Sequence, residues 1–65
     1  MIRIVDQFDV GQNTLLILDS PVPLKLFTKL LIDGKEYEPL VIYDLENGIG
    51  IPTHGFYKNK EIIFL

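Results

Sequence analysis

Cysteine, tryptophan and alanine are missing from this 65-residue chain, and His, Ser, Arg and Met each occur once. Without Cys there is no disulfide and no thiolate ligand. A single His leaves a structural zinc site short of its usual donors. The absence of Ala removes the strongest helix former. No stretch approaches the ~20 apolar residues that span a bilayer. Charge of neither sign dominates: nine acidic residues against six basic ones give a net charge of −3. The six cations, Arg3, Lys25, Lys29, Lys35, Lys58 and Lys60, are scattered. They form no basic stripe of the kind that tracks a phosphate backbone, so direct nucleic-acid binding is not expected. The N-terminus shows no basic segment followed by an apolar run, so the expected location is cytoplasmic. The initial Met leads to the expectation of a complete gene product.

What is present is apolar and β-forming. Hydrophobic residues make up 48% of the chain. Ile, Val, Phe, Tyr and Thr, which fit a pleated and half-buried surface, supply 23 of the 65 residues. Disorder is excluded, since it needs low hydrophobicity and high net charge. One domain spanning residues 1–65 is expected. A chain this short buries only about 60% of its unfolded surface, so a dense core, self-association or a partner must stabilise it.

The pattern along the chain supports strands. Ile2, Ile4, Phe8 and Val10 alternate with Arg3, Val5, Gln7 and Asp9, with Asp6 as the odd polar residue on the apolar side, marking a hydrogen-bonded position or a bulge. Gly11-Gln12-Asn13 reads as a turn. The run Leu15-Leu16-Ile17-Leu18 within Thr14–Asp19 reads as a strand buried on both faces. Pro21 and Pro23 then remove two backbone donors and stop it. Leu24–Ile32 has helical spacing at Leu24, Phe27 and Leu31, which allows a helix over Leu24–Lys29, but a loop or short strand is preferred because the last three residues feed directly into a hairpin. That hairpin turns at Asp33-Gly34, a type I′ sequence, and sets Ile32 opposite Lys35, Leu31 opposite Glu36 and Leu30 opposite Tyr37. Glu38-Pro39 marks a bend. A strand over Leu40–Asp44 leads to a second turn at Asn47-Gly48, followed by a short strand at Ile49–Ile51. Phe56-Tyr57 is expected to face Ile62–Leu65 across Lys58–Glu61 as a third hairpin. Six or seven short antiparallel strands with turns every 8–12 residues predict an all-β fold, and closure into a small barrel would remove the exposed edges.

Ile4-Val5-Asp6-Gln7-Phe8-Asp9-Val10-Gly11 followed by Thr14-Leu15-Leu16 resembles the opening of the second-domain barrel of translational GTPases of the elongation factor Tu type. Lys29–Tyr37 is similar to a later strand and turn of that family, and Asn47-Gly48-Ile49-Gly50-Ile51 to its Gly–apolar strand. The likeness covers about half the chain. It departs at Asp19-Ser20-Pro21, where the family has a Gly, and at Phe27-Thr28, where the family has Gly-Asp. The resemblance implies a translation-protein-type barrel. An SH3-like barrel fits the same pattern. No GxxxxGK[ST] loop is present, so no nucleotide site and no translation function follow.

No catalytic set emerges. Ser20 lacks a nucleophile-elbow context for a triad with His54. Asp6 and Asp9 are an odd number of residues apart, and Glu36 and Glu38 read as a solvated strand face. Asp44, Glu46 and Asn47 do not follow a calcium-loop ladder. The chain is expected to be non-catalytic, without cofactor or metal. The segment His54, Phe56, Tyr57, Lys58 and Lys60 combines aromatic faces with cations near a hairpin tip, a combination that stacks bases or holds peptides, and is the expected binding site. The leading functional expectation is a module that recognises a protein partner. The alternatives are a homo-oligomer that pairs along Glu61–Leu65 and a barrel that contacts RNA or the ribosome.

Overall fold

A computed structural model describes residues 1–41 and 45–65. Among these residues six strands form: β1 (Ile2–Val10), β2 (Asn13–Leu18), β3 (Leu30–Ile32), β4 (Lys35–Tyr37), β5 (Gly48–Ile51) and β6 (Glu61–Phe64). All pairings are antiparallel, in the order β4-β3-β6-β1-β2-β5. The protein is all-β, with no helix among the described residues.

Local chemistry explains the tight turns. Gly11 has φ +62° between β1 and β2, while Gln12 keeps a negative φ, the type II′ arrangement with Gly in first place. Asp33 and Gly34 have φ of 53° and 79°, the two positive angles of type I′. The resulting β3–β4 register pairs Leu30 with Tyr37, Leu31 with Glu36 and Ile32 with Lys35, as the sequence predicts.

The register of β1 against β2 shifts between Ile4 and Asp6, which places a bulge at Val5. A bulge bends its strand and increases the local twist. Here it divides the sheet into two halves that share β1. The first half holds β4, β3, β6 and the start of β1, and the second holds the rest of β1 with β2 and β5. One face of each half supplies the core: Ile4, Leu16, Leu18, Leu30, Ile32, Ile49, Ile51, Ile62 and Phe64 are buried, and Tyr57 joins them from a loop. Phe27 packs edge-on against Phe64 at 4.9 Å. The one buried polar residue among those described, Thr14, donates its hydroxyl to the Thr53 carbonyl at 2.7 Å.

Several expectations are corrected. The sheet is not closed into a barrel. Glu38-Pro39 ends β4 after three residues, and Pro39 has no N–H to extend the ladder. Among the described residues, the chain beyond β4 meets β5 through a bridge from Leu40 to Gly50, with hydrogen bonds of 2.7 and 2.9 Å. Beyond Leu40, the expected strand runs into residues 42–44, which lie outside the described residues, as does Asp44 of the calcium-loop reading. Leu24–Lys29, by contrast, is the loop that the sequence leads one to expect, tied by the amides of Thr28 and Lys29 to the Leu65 carbonyl. β2 buries only alternate residues: Thr14, Leu16 and Leu18 point inward, while Leu15 and Ile17 are half-buried. Gly48 opens β5 rather than turning the chain, and the Asn47 carbonyl extends the ladder by accepting from the Leu18 amide at 2.7 Å.

The third hairpin does not form. Residues 53–57 are a loop, and β6 lies inside the sheet between β3 and the start of β1. β3 lines one edge of β6 from Ile62 to Phe64, and β1 lines the other at Glu61 and Ile62. A tight turn precedes β6, with the Lys60 amide donating to the Tyr57 carbonyl at 3.1 Å and Asn59 at φ 71°. The far end of β2 is fastened to β1 by reciprocal bonds. The Asp19 amide donates to the Arg3 carbonyl, and the Arg3 amide donates to Asp19 Oδ1, both at 3.0 Å. The latter bond holds the Asp19 carboxyl below its ordinary pKa.

Candidate functional site

Two surfaces carry the chemistry, and the bulge at Val5 positions both. Residues directly opposite each other in an antiparallel ladder project to the same face. Beyond the bulge Gln7 pairs with buried Leu16 and Asp9 with buried Thr14, so both begin on the core side. Phe8 pairs with Leu15 and Val10 with Asn13, so both lie on the outer side. This reverses the face that simple alternation from Ile2 assigns to Phe8 and Val10, which are 52% and 56% exposed.

The inward turn of Gln7 organises the first surface. Its Oε1 accepts the amides of Tyr57 at 2.6 Å and Lys58 at 3.0 Å, and its Nε2 donates to the Gly55 carbonyl at 2.7 Å. Gln7 thereby docks residues 55–58 on β1, next to the backbone bonds that join Ile4 to Asn59 and Lys60. Tyr57 enters the core and meets Tyr37 edge-on at 5.6 Å. Burial pushes the Tyr57 phenol up from its ordinary pKa, the neighbouring Tyr37 phenol pushes it the same way, and the Thr53 hydroxyl opposes them.

Four of the five sequence-predicted residues, His54, Phe56, Tyr57 and Lys60, line one cleft of about 230 Å³ against the β3–β4 hairpin, with Lys35 and Tyr37 on the other wall. Lys58 is not among them. It extends towards Asp6, with 4.0 Å between Nζ and Oδ1. Carboxylates stand beside several of these side chains. Lys60 Nζ sits 3.0 Å from Asp33 Oδ2, and His54 Nε2 sits 4.0 Å from Asp9 Oδ1. Ser20 Oγ donates to Asp19 at 3.2 Å, not to a histidine. No three metal-ligating side chains gather among the described residues.

Gly55 is required by this packing. A Cβ there would lie 2.6 Å from the Tyr57 hydroxyl oxygen and 2.7 Å from the ring carbon that bears it. Gly55→Ala must displace a ring held in the core, and overpacking of that kind costs about 1–3 kcal/mol. A denaturant titration is expected to show the loss as a lower midpoint with an unchanged slope.

The second surface is the outer face of β1, β2 and β5, which sequence reasoning missed. Its cross-strand row runs from Phe8 to Leu15, then to Gly50, then to Leu40. Val10, Asn13, Thr14, Leu15, Leu40 and Gly50 line a groove of about 280 Å³. No charged side chain is among these six. Of these, Val10 and Leu40 are exposed. The legible signal was the Gly-Ile-Gly-Ile pattern of β5, which sends both isoleucines to the core and leaves glycine on the outer side.

The strand edges beside this face offer little to a pairing strand. Asp6 Oδ1 caps the Gln7 amide at 2.9 Å, Gln7 holds the loop alongside, and Leu40 occupies Gly50 on β5. Such devices protect sheet edges. No helix of the described residues is long and apolar enough to cross a membrane. No family model, curated protein or solved structure matches the chain. The likeness to translational GTPase barrels thus rests on the quoted motifs alone.

Proposed function

We propose that the chain is a non-catalytic module that recognises a protein through the outer face of β1, β2 and β5. The observation that carries this reading is the row Phe8, Leu15 and Leu40 beside Val10, an apolar surface flanking a groove without a charged lining residue. Contiguous exposed apolar surface on a small domain marks an interaction site. The pairing of Lys58 with Asp6 and of Lys60 with Asp33 favours protein over nucleic acid, because phosphate contact would first have to break those pairs.

A photo-crosslinking side chain placed at Val10 or Leu40, in cells that express the chain, tests the reading. The expected result is a discrete protein adduct from both positions and none from Lys25 or Lys35. The absence of adducts at Val10 and Leu40, or equal labelling from all four positions, overturns it.

A further inference from the structure

We propose that the loop between β2 and β3 contacts lipid: its tip, Leu24-Lys25-Leu26, inserts both leucines into the headgroup–acyl boundary of a zwitterionic bilayer surface. The inference is independent of the protein-docking reading of the outer face.

The tip is the most exposed apolar feature among the described residues. Leu24 and Leu26 show 107% and 101% of their reference surface, so the fold covers neither. Yet the tip is held at both shoulders. On one side the Val22 amide donates to the Glu46 carbonyl at 2.7 Å. On the other, the Thr28 and Lys29 amides share the Leu65 carbonyl, and the Leu65 amide donates back to the Lys29 carbonyl at 2.9 Å. Val22 and Phe27 pack against the core, and Pro21 and Pro23 fix φ along the approach. Apolar side chains before and after the tip thus turn inward while its two leucines turn out. Leu24 also borders a shallow hollow with Val41 and Leu45, both exposed, so apolar surface continues from the tip onto the body of the domain.

The make-up of the tip favours lipid over protein. Protein interfaces are enriched in Trp, Tyr and Arg and depleted in Lys, and Leu is under-represented among their hot spots. A bilayer surface accepts the reverse. Leucine enters the acyl boundary, and a lysine stem lies along apolar surface while its ammonium reaches the phosphate level. The backbone sets the depth. Among the described residues, the amides and carbonyls of residues 24–26 bond to no other backbone group. They need water, which keeps the tip out of the hydrocarbon centre. The net charge of −3 opposes attraction to anionic lipid, so the surface is a zwitterionic one. Burial of two leucines corresponds to a partition coefficient on the order of 10³ M⁻¹, below the ~10⁴ M⁻¹ of a single myristoyl chain, so the contact is reversible.

The chain has no tryptophan, so Leu24→Trp, Leu26→Trp and Phe8→Trp each carry a sole fluorophore for titration with phosphatidylcholine vesicles. The expected result is a blue shift at positions 24 and 26, with quenching by lipids brominated near the top of the acyl chain, and no change at position 8. In flotation with the same vesicles, the double variant Leu24→Glu, Leu26→Glu is expected to bind about a hundred-fold less than the unsubstituted chain. Both positions lie outside the strands and the core, and circular dichroism checks that the sheet is intact. Phosphatidylserine in the vesicles is expected to add no affinity. Tryptophans at 24 and 26 that ignore lipid, an equal shift at position 8, binding that requires phosphatidylserine, or undiminished flotation of the folded double variant would each overturn the proposal. A photo-crosslinker at Leu26 that yields a protein adduct in cells, while vesicles leave the tip unmoved, identifies a protein contact instead and overturns it as well.

Discussion

Gln7→Ala is expected to destabilise the fold by about 2–4 kcal/mol, because it removes three hydrogen bonds that each contribute roughly 0.5–1.5 kcal/mol. The bonds run from one side chain to the Tyr57 amide, the Lys58 amide and the Gly55 carbonyl. They are the docking contacts of a loop that delivers Tyr57 to the core. A 65-residue domain has a total stability of only about 3–10 kcal/mol at the usual ~0.05–0.15 kcal/mol per residue, so the loss is a large fraction of the whole. Urea unfolding measures the energy, and amide hydrogen exchange locates it. Protection at Tyr57 and Lys58 is expected to collapse while that of β3 and β4 persists. Gln7→Glu separates the contributions. Its carboxylate still accepts from both amides but cannot donate to Gly55, so its effect should fall between wild type and Gln7→Ala. A Gln7→Ala protein within about 0.5 kcal/mol of wild type, a range typical of ordinary surface substitutions, would show that the loop holds itself in place.

The importance of Gln7 was hidden in the sequence for a reason that also explains the other failures. Its role depends on a one-residue shift at Val5, and strand faces reverse with every such shift. The sequence marked the neighbourhood, since Asp6 breaks the alternation, but the extra residue is Val5, which is an ordinary strand former. With the shift unseen, simple alternation puts Phe8 and Val10 inward and Gln7 outward, and so hides the outer apolar face. Features set by adjacent residues were legible. Gly11-Gln12 and Asp33-Gly34 turn as their positive φ angles demand, and the register of β3 on β4 follows from the second turn. Features set by distant residues were not. Phe56 and Tyr57 are near β6 in the chain, yet Tyr57 is held by a residue fifty positions away. The order that places β6 between β3 and β1 has no local signature. Of the expected site residues, His54, Phe56, Tyr57 and Lys60 do share a cleft, because the loop and the Tyr57–Lys60 turn bring them to one hairpin. Lys58 leaves that group because the turn carries it towards Asp6.

Leu15 and Leu16 permit the same shift to be read as energy, because they are adjacent, chemically identical and on opposite faces. Leu16 is fully buried on β2, with β1 on one side and β5 on the other. Leu16→Ala leaves a cavity in that core, and such a substitution costs about 2–5 kcal/mol. Set against the modest stability of so small a chain, this is expected to lower the midpoint of thermal unfolding severely and, at the upper end, to leave the protein unfolded at room temperature. Leu15 pairs with Phe8 and Gly50 on the outer side and is half-buried. Leu15→Ala widens the groove without opening the core, so it is expected to cost less than half as much stability while reducing association through the outer face. The two readouts therefore separate: calorimetry should move for Leu16→Ala, and the yield of protein adduct from a crosslinker at Val10 should move for Leu15→Ala. Equal destabilisation by the two substitutions would mean that β2 is buried on both faces, as the run Leu15-Leu16-Ile17-Leu18 reads without its neighbours. In that case the outer face is part of the core rather than a surface, and a partner docked on it has nothing to bind.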